Sequence, residues 1–480
     1  MNLLLPEIVI LITALIALFI DLCFTANGLK KLSGLVVIFG LTLSAFILVT
    51  AEKNGATFGG RFVMDPVAWW FKFIFIIASI LTVLLSLDLL SDKKLAARGE
   101  YFCILLFTLA GMMFLTSSRD LVSLYVSLEL ATVPLFLLAT WNKNRAGTEA
   151  GLKYVVLGVL SSSLLLYGLS LLFGMTGKIE LVAISQGLSN TPIFWVAFAA
   201  ILSGVGFKLT LFPFQMWAPD VYEGSPTPIT AYLSVASKGA GLALLFLIFY
   251  HLFGWRHSQF LNSTDVAHTF NLILAIFATL TMTIGNVVAI VQKNIKRFMA
   301  YSSISQAGYI LLGLLGATPE GIPAMIFYLL VYVMTNLTVF AAIISFSNQT
   351  GLNQIEDYRG LSLRNPVLSL ALMIGLFSLA GIPPLSGFVG KFFLFSIASK
   401  MEFHWLVAVA AINSTISLYY YLQIIRQMYI EKPRGNEATI KVSKVITCTL
   451  IVTSILMVAL GIIPCFYDKI HLETTTYLNF

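Results

Sequence analysis

Apolar runs long enough to cross a bilayer recur along the whole chain, separated by short polar segments, and no water-soluble domain intervenes. The pattern predicts fourteen spans, at about 3–25, 33–51, 66–90, 101–117, 120–141, 150–173, 192–217, 226–250, 269–292, 297–316, 322–346, 366–398, 404–429 and 442–466. The first run contains Glu7 and has no basic segment before it, so it reads as a retained helix and not a cleaved signal. An even number of crossings puts both termini on one side.

Two spans are interrupted. In GVGFKLTLFPFQMW, Gly204–Trp217, a lysine lies inside an apolar run and a proline follows five residues later. Pro213 has no N–H to give the carbonyl of Leu209, so a helix through this stretch must break or kink beside Lys208. In GIPPLSGFVGKFF, Pro383 and Pro384 remove two successive donors, and Lys391 follows about two turns later. Freed backbone groups at membrane depth survive only inside protein or along a wet cavity. The first stretch therefore predicts a polar, hydrated pocket.

The broken spans are the seventh and the twelfth. A displacement of five reverses the direction of crossing, as an inverted repeat would, with the fourth to eighth spans matched to the ninth to thirteenth. The expected fold is all-α and integral to the membrane: about 14 transmembrane helices, two of them discontinuous, in two inverted five-helix repeats. The expected organisation is three N-terminal helices over 1–100, a first repeat over 101–250, a second over 269–429, and a C-terminal helix and tail over 442–480.

Charges within the spans are few: Lys72, Lys153, Lys208, Lys238 and Lys391 are the cations. An intramembrane ionisable residue is a candidate for an ion path, since at the bilayer centre it costs a few kcal/mol or more unless paired or wetted. Lys238 stands some twelve residues into its helix, about 18 Å deep, beyond the reach of snorkelling. Lys72 and Lys153 lie near the starts of their spans and can snorkel; Lys153 reads equally well as a possible relay. Glu129, about nine residues past Asp120, is deep and is the obvious counter-ion for one of the lysines. Glu7, Asp21 and Asp88 sit near span ends, where an interfacial place is expected.

Composition agrees with the pattern: 58% of the 480 residues are hydrophobic and 11% charged, against about 25% charged in ordinary soluble chains. Seventeen of the 29 Lys and Arg residues fall in one set of loops and seven in the other, which places both termini away from the cytoplasm. The net charge of +7 follows from this bias and reads as a basic rim facing anionic lipid, with no nucleic-acid footprint. Cys23, Cys103, Cys448 and Cys465 are scattered and form no metal or disulfide pattern. His251, His257, His268, His404 and His471 fall in predicted loops or the tail, where no pair holds a haem between facing helices. With no phosphate loop, dinucleotide fingerprint or H-E-x-x-H motif, no redox cofactor, nucleotide or metal is expected in this chain.

SLELATVPLF around Glu129, GVGFKLTLFPFQMWAPDVYEGSPTP around Lys208, LSVASKGA around Lys238, KRFMAYSSISQAGY from Lys296 and LAGIPPLSGFVGKFFLF around Lys391 together resemble the antiporter-like subunits of respiratory complex I. The resemblance covers nearly the whole chain. Lysine at 391, where the M-type of this family is expected to carry glutamate, points to the N-type branch, as does the lack of the extra C-terminal helices of the L-type.

The resemblance implies a proton-translocating subunit of NADH:quinone oxidoreductase in a bacterial inner membrane. Its partners would be the other membrane subunits and, through them, the peripheral arm, which would hold NADH, FMN, iron–sulfur clusters and quinone. On that pattern Glu129 and Lys208 form a pair, Lys238 is the central relay and Lys391 the terminal site. Gln306 departs from the family, which commonly has histidine there; glutamine does not take up and pass on a proton, so a hydrated wire would have to bridge the position. A Mrp-type cation/proton antiporter subunit, using much the same lysines, is the rival reading.

Overall fold

The computed structural model describes residues 2–23, 27–89, 98–142, 144–253, 264–433, 439–463 and 465–479. The loop cations Lys93, Lys94, Lys143, Arg256 and Arg434, together with His257, lie outside the described residues, as do the side chains of Lys30, Lys31, Arg98 and Asp88.

Thirteen helices among the described residues are long and apolar enough to cross a membrane. The remaining expected crossing, the twelfth, consists of two 15-residue halves, Pro366–Ala380 and Ser386–Lys400. Each half is about 22 Å long, short of a bilayer's hydrocarbon core of about 30 Å. The seventh crossing is broken likewise into Pro192–Leu209 and Trp217–Gly224. All fourteen expected crossings therefore have counterparts, two of them in halves.

Position in the bundle follows from how far around each helix the apolar residues run. The eighth crossing, Thr227–Leu252, and the eleventh, Gly321–Thr350, are buried all round over their apolar stretches and form the centre. Outer helices keep an exposed apolar stripe. On the fifth crossing, Leu121–Ala139, it comprises Val122, Val126, Val133 and Leu137, spaced as one helical face. Such a stripe faces lipid or another membrane subunit.

Three features escaped the sequence pattern. Gly55–Thr57 and Phe62–Met64 form an antiparallel hairpin, with Ala56 opposite Val63. A short helix, Leu181–Gly187, follows the sixth crossing. The tail forms a helix, Cys465–Asn479, with buried Ile470, Thr474 and Leu478 holding it to the bundle. Several histidines accordingly lie in helices: His251 is buried in the eighth crossing against Phe246 and Tyr250, and His471 lies in the tail helix.

Matching details recur in the two halves. Asp120 caps the fifth crossing and bridges to Glu180, while Asn294 caps the tenth, beginning at Ile295, and bridges to Gln354. Each bridge spans the same length of sequence, and a short helix follows each. With the crossings counted in order, the two bridges lie on opposite faces of the membrane. Both broken helices end their first half on a left-handed residue, Thr210 (φ 58°) and Gly381 (φ 85°), with a proline three residues on.

Candidate functional site

The two breaks leave backbone carbonyls without their usual helical donors. In the seventh crossing, Phe207 O lacks its usual donor Leu211 N, which turns to Gly206 O at 2.8 Å, and Phe207 O accepts from the Trp217 indole at 3.0 Å. In the twelfth, Leu379 O and Ala380 O accept from Lys391 Nζ at 2.9 and 3.2 Å. The ammonium also bonds Ser414 Oγ at 3.2 Å and stands 4.4 Å from the Tyr309 ring centre.

Lys208 lies two residues before its break and Lys391 ten residues after Gly381, so the two lysines do not occupy equivalent positions in their helices. Their surroundings are nevertheless alike. Lys208 is in the last turn of its half-helix, and Lys391 reaches back to the last carbonyls of the preceding half. In each case the negative end of a half-helix helps hold a cation at depth.

Lys208 is 4% exposed and Lys238 2%. Lys208 Nζ bonds Thr132 Oγ1 at 2.7 Å, one turn beyond Glu129 on the fifth crossing. Glu129 is half-buried, its Oε1 is buried without a hydrogen-bond partner, and its charge acts on the Lys208 ammonium from nearby. The expected Glu129–Lys208 pair is therefore an electrostatic neighbourhood, with Thr132 making the direct bond. The i, i+3 spacing from Glu129 was the signal for Thr132 in the sequence.

Lys238 follows a π-helical turn, Leu233–Ser237, in the buried eighth crossing. Such turns recur at functional sites because they re-aim the side chains beside them. Its ammonium bonds Ser303 O at 2.5 Å and Ser303 Oγ at 2.8 Å. Ser303 Oγ also lies 3.1 Å from Tyr222 OH, and Asn336 Nδ2 bonds Ser234 Oγ and Tyr332 OH nearby. Gly241, one turn past Lys238, lies against Lys208: a Cβ there would stand 3.3 Å from Lys208 Cβ. Glycine at 241 thus lets the eighth crossing approach the seventh closely at Lys208, one turn from Lys238.

Gln306 occupies the gap between Lys238 and Lys391. It lies one turn beyond Ser303 on the tenth crossing; its Nε2 bonds Leu379 O at 3.2 Å, the carbonyl that Lys391 also uses, and its Oε1 accepts from Tyr328 OH. Counted from the caps Asp120 and Asn294, Ser303 and Gln306 stand where Glu129 and Thr132 stand in the other half. The result is one row, buried from Thr132 onward and half-buried at Glu129: Glu129, Thr132, Lys208, Lys238, Ser303, Gln306, Lys391. The helix-breaking Pro213, Pro383 and Pro384 lie beside its lysines.

Lys153 is not in this row. It is 41% exposed and sits 2.8 Å from Glu149 and 2.7 Å from Asp220, in a surface cluster with Arg297 and Glu223. The expected snorkelling of Lys72 and interfacial place of Glu7 are overturned: both are fully buried and form an ion pair at 2.6 Å. Nearness to a helix end did not expose them, because the hairpin packs over this end; Lys72 Nζ stands 4.6 Å from the Phe62 ring centre.

What such a row can do is hold charge at membrane depth and exchange it. Every lysine has hydroxyl or carbonyl acceptors, and the ends of the row are titratable. Among the described residues, no group of three or more His, Cys, Asp and Glu is arranged to hold a metal ion.

A family profile described as NADH:quinone oxidoreductase/Mrp antiporter, transmembrane, matches residues 118–417. The chain is 38% identical, over 479 residues and 97% of each protein, to the NADH-quinone oxidoreductase subunit N of Dehalococcoides mccartyi. Its structure is similar to a chain of respiratory complex I from Thermus thermophilus, with a TM-score of 0.80, 30% identity and coverage of 96% of this chain and 97% of that one. A chain of the Mrp complex from Dietzia has a TM-score of 0.83, covering 98% and 97%, but at 21% identity this is a likeness of fold alone.

Proposed function

The chain belongs to the family of NADH:quinone oxidoreductase and Mrp antiporter membrane subunits, and from that premise we propose that it moves protons along the row Glu129–Lys208–Lys238–Lys391. It does so as a membrane subunit of a bacterial complex I, coupled to quinone reduction elsewhere in the assembly. NADH, FMN, the iron–sulfur clusters and quinone belong to partner subunits. Both termini lie on the non-cytoplasmic side of the inner membrane.

The observation that carries this reading is the placement of the lysines: three are almost wholly buried, and each bonds a hydroxyl or a freed carbonyl. Glu129 lies on the exposed stripe between Val126 and Val133, where charge movement in a neighbouring subunit reaches it. At an effective dielectric near 20, two unit charges 4 Å apart interact by about 4 kcal/mol, and separation to 8 Å halves this. A change of about 2 kcal/mol alters a protonation equilibrium roughly thirtyfold. A shift at Glu129 thus loads or unloads Lys208, and the change passes through Lys238 to Lys391. Because interacting sites titrate as a set, the row responds as one unit. Gln306 is bridged by water, with its amide orienting the wire. Lys153 anchors the surface cluster at the cytoplasmic end.

Lys208→Ala and Glu129→Ala are each expected to depress proton pumping and coupled oxidase activity in the assembled complex. Normal pumping in both variants, with normal assembly, would rule the relay out. A Mrp-type antiporter is the competing reading, and purification separates the two: co-migration with an NADH-oxidising assembly supports the proposal, and sodium/proton exchange without electron transfer supports the rival.

A further inference from the structure

The Glu7–Lys72 pair lies off the central row. Both side chains are fully buried and 2.6 Å apart, and Glu7 Oε2 has no hydrogen-bond partner. A buried pair of this kind is weak evidence of stabilisation, since apolar residues of similar size often serve as well or better. The charges therefore need another explanation, and the surrounding groups provide one.

Asp65 and Arg119 form a second buried ion pair and act electrostatically on Lys72. The phenol of Tyr477, on the tail helix, lies within electrostatic range of both Asp65 and Arg119. On the same helix, one turn earlier, Glu473 pairs with Lys53 at 2.5 Å and accepts from the Trp70 indole at 3.0 Å. Lys53 and Glu473 are 26% and 22% exposed. Titratable groups thus run from a sealed pair to the surface, all on the face that carries the termini.

Toward the centre, Ser79 lies two turns beyond Lys72 on the third crossing and bonds Tyr232 OH on the eighth at 3.1 Å. Tyr232 precedes Lys238 on that helix. Between Lys72 and Ser79 stands Phe75, whose Cε1 would be 2.7 Å from a Cβ at Gly239, the residue next to Lys238. About two apolar turns of the third crossing, with Phe75 among them, therefore lie between this cluster and Ser79, which bonds the eighth crossing.

We propose that Glu7–Lys72 is a proton-release site serving the non-cytoplasmic face, with Asp65, Arg119 and the tail helix as its outlet. A proton crossing the apolar stretch at Phe75 converts the Glu7 carboxylate to the acid while Lys72 stays an ammonium. Its passage by way of Asp65 to outer water restores the carboxylate, so one proton enters and one leaves. The inference rests on the proton-translocating reading above.

The test is Glu7→Gln/Lys72→Met in the assembled complex in vesicles, measured beside Lys208→Ala. The double variant leaves no unpaired buried charge, so assembly is expected to persist, while protons translocated per quinone reduced fall by about twofold or more. An unchanged ratio in the double variant, with loss in Lys208→Ala, overturns the release site alone; unchanged pumping in both overturns the parent reading. Should the double variant fail to assemble, Glu7→Asp, which keeps the ion pair, decides the matter by infrared difference spectroscopy during turnover. A carboxyl band that shifts supports release through Glu7, and bands identical to those of the unaltered protein overturn it.

Discussion

Exchange of Lys238 for methionine is expected to leave the complex assembled and to reduce proton pumping and coupled quinone reduction to about a tenth or less, corresponding to roughly 1.4 kcal/mol or more in the limiting step. Methionine fills much of the same volume, so no large cavity opens in the buried eighth crossing. It also removes a buried charge, a change that is often neutral or stabilising. What disappears is the ammonium that stands between Lys208 and Ser303 in the row. Lys238→Arg sharpens the result. Arginine keeps the charge but does not give up a proton, so a relay role predicts loss in Arg as well as Met, whereas a purely electrostatic role predicts that Arg restores activity. Parallel measurement of subunit content by native gel separates these outcomes from failed assembly.

The second large effect is on assembly. At Gly387 a Cβ would stand 1.8 Å from the backbone oxygen of Ser378, and Gly387 N bonds Ser378 Oγ at 3.2 Å. The two halves of the twelfth crossing touch here, and their contact aims Lys391 back at Leu379 and Ala380. Gly387→Val must push the halves apart, at a cost of about 1–3 kcal/mol or more for overpacking. The expected result is a complex that largely lacks this subunit on a native gel, with Gly387→Ala milder and of the same sign. Full incorporation of the valine variant would mean that the half-helix contact does not hold the break.

The crossings were legible because burial at membrane depth demands long apolar runs, and the breaks were legible because proline removes a donor that nothing local replaces. Lys208, Lys238 and Lys391 stood out for the same reason: charge within an apolar run needs a partner. Their partners were less visible. Lys391 is held by carbonyls and by Ser414, which a search for counter-ions overlooks, and Lys208 is held by Thr132, an ordinary helix residue in the sequence. The offset of Lys208 and Lys391 across their breaks could be read from the prolines, but which half-helix supplies the acceptors could not.

Lys72 shows the limit most plainly. Its place near a helix start pointed to the interface, but burial there is decided by a hairpin and by a tail helix. Lys53 and Glu473, which tie these two together, are separated by almost the whole chain. Pairing over such separations leaves no local periodicity to read.

Ordered water along the row tests the central claim most directly. In a map of the whole assembly fine enough to show it, water is expected between Lys208, Lys238 and Lys391, including a bridge past the Gln306 amide. A dry, side-chain-filled gap on either side of Lys238, in maps taken both at rest and during turnover, would contradict the account.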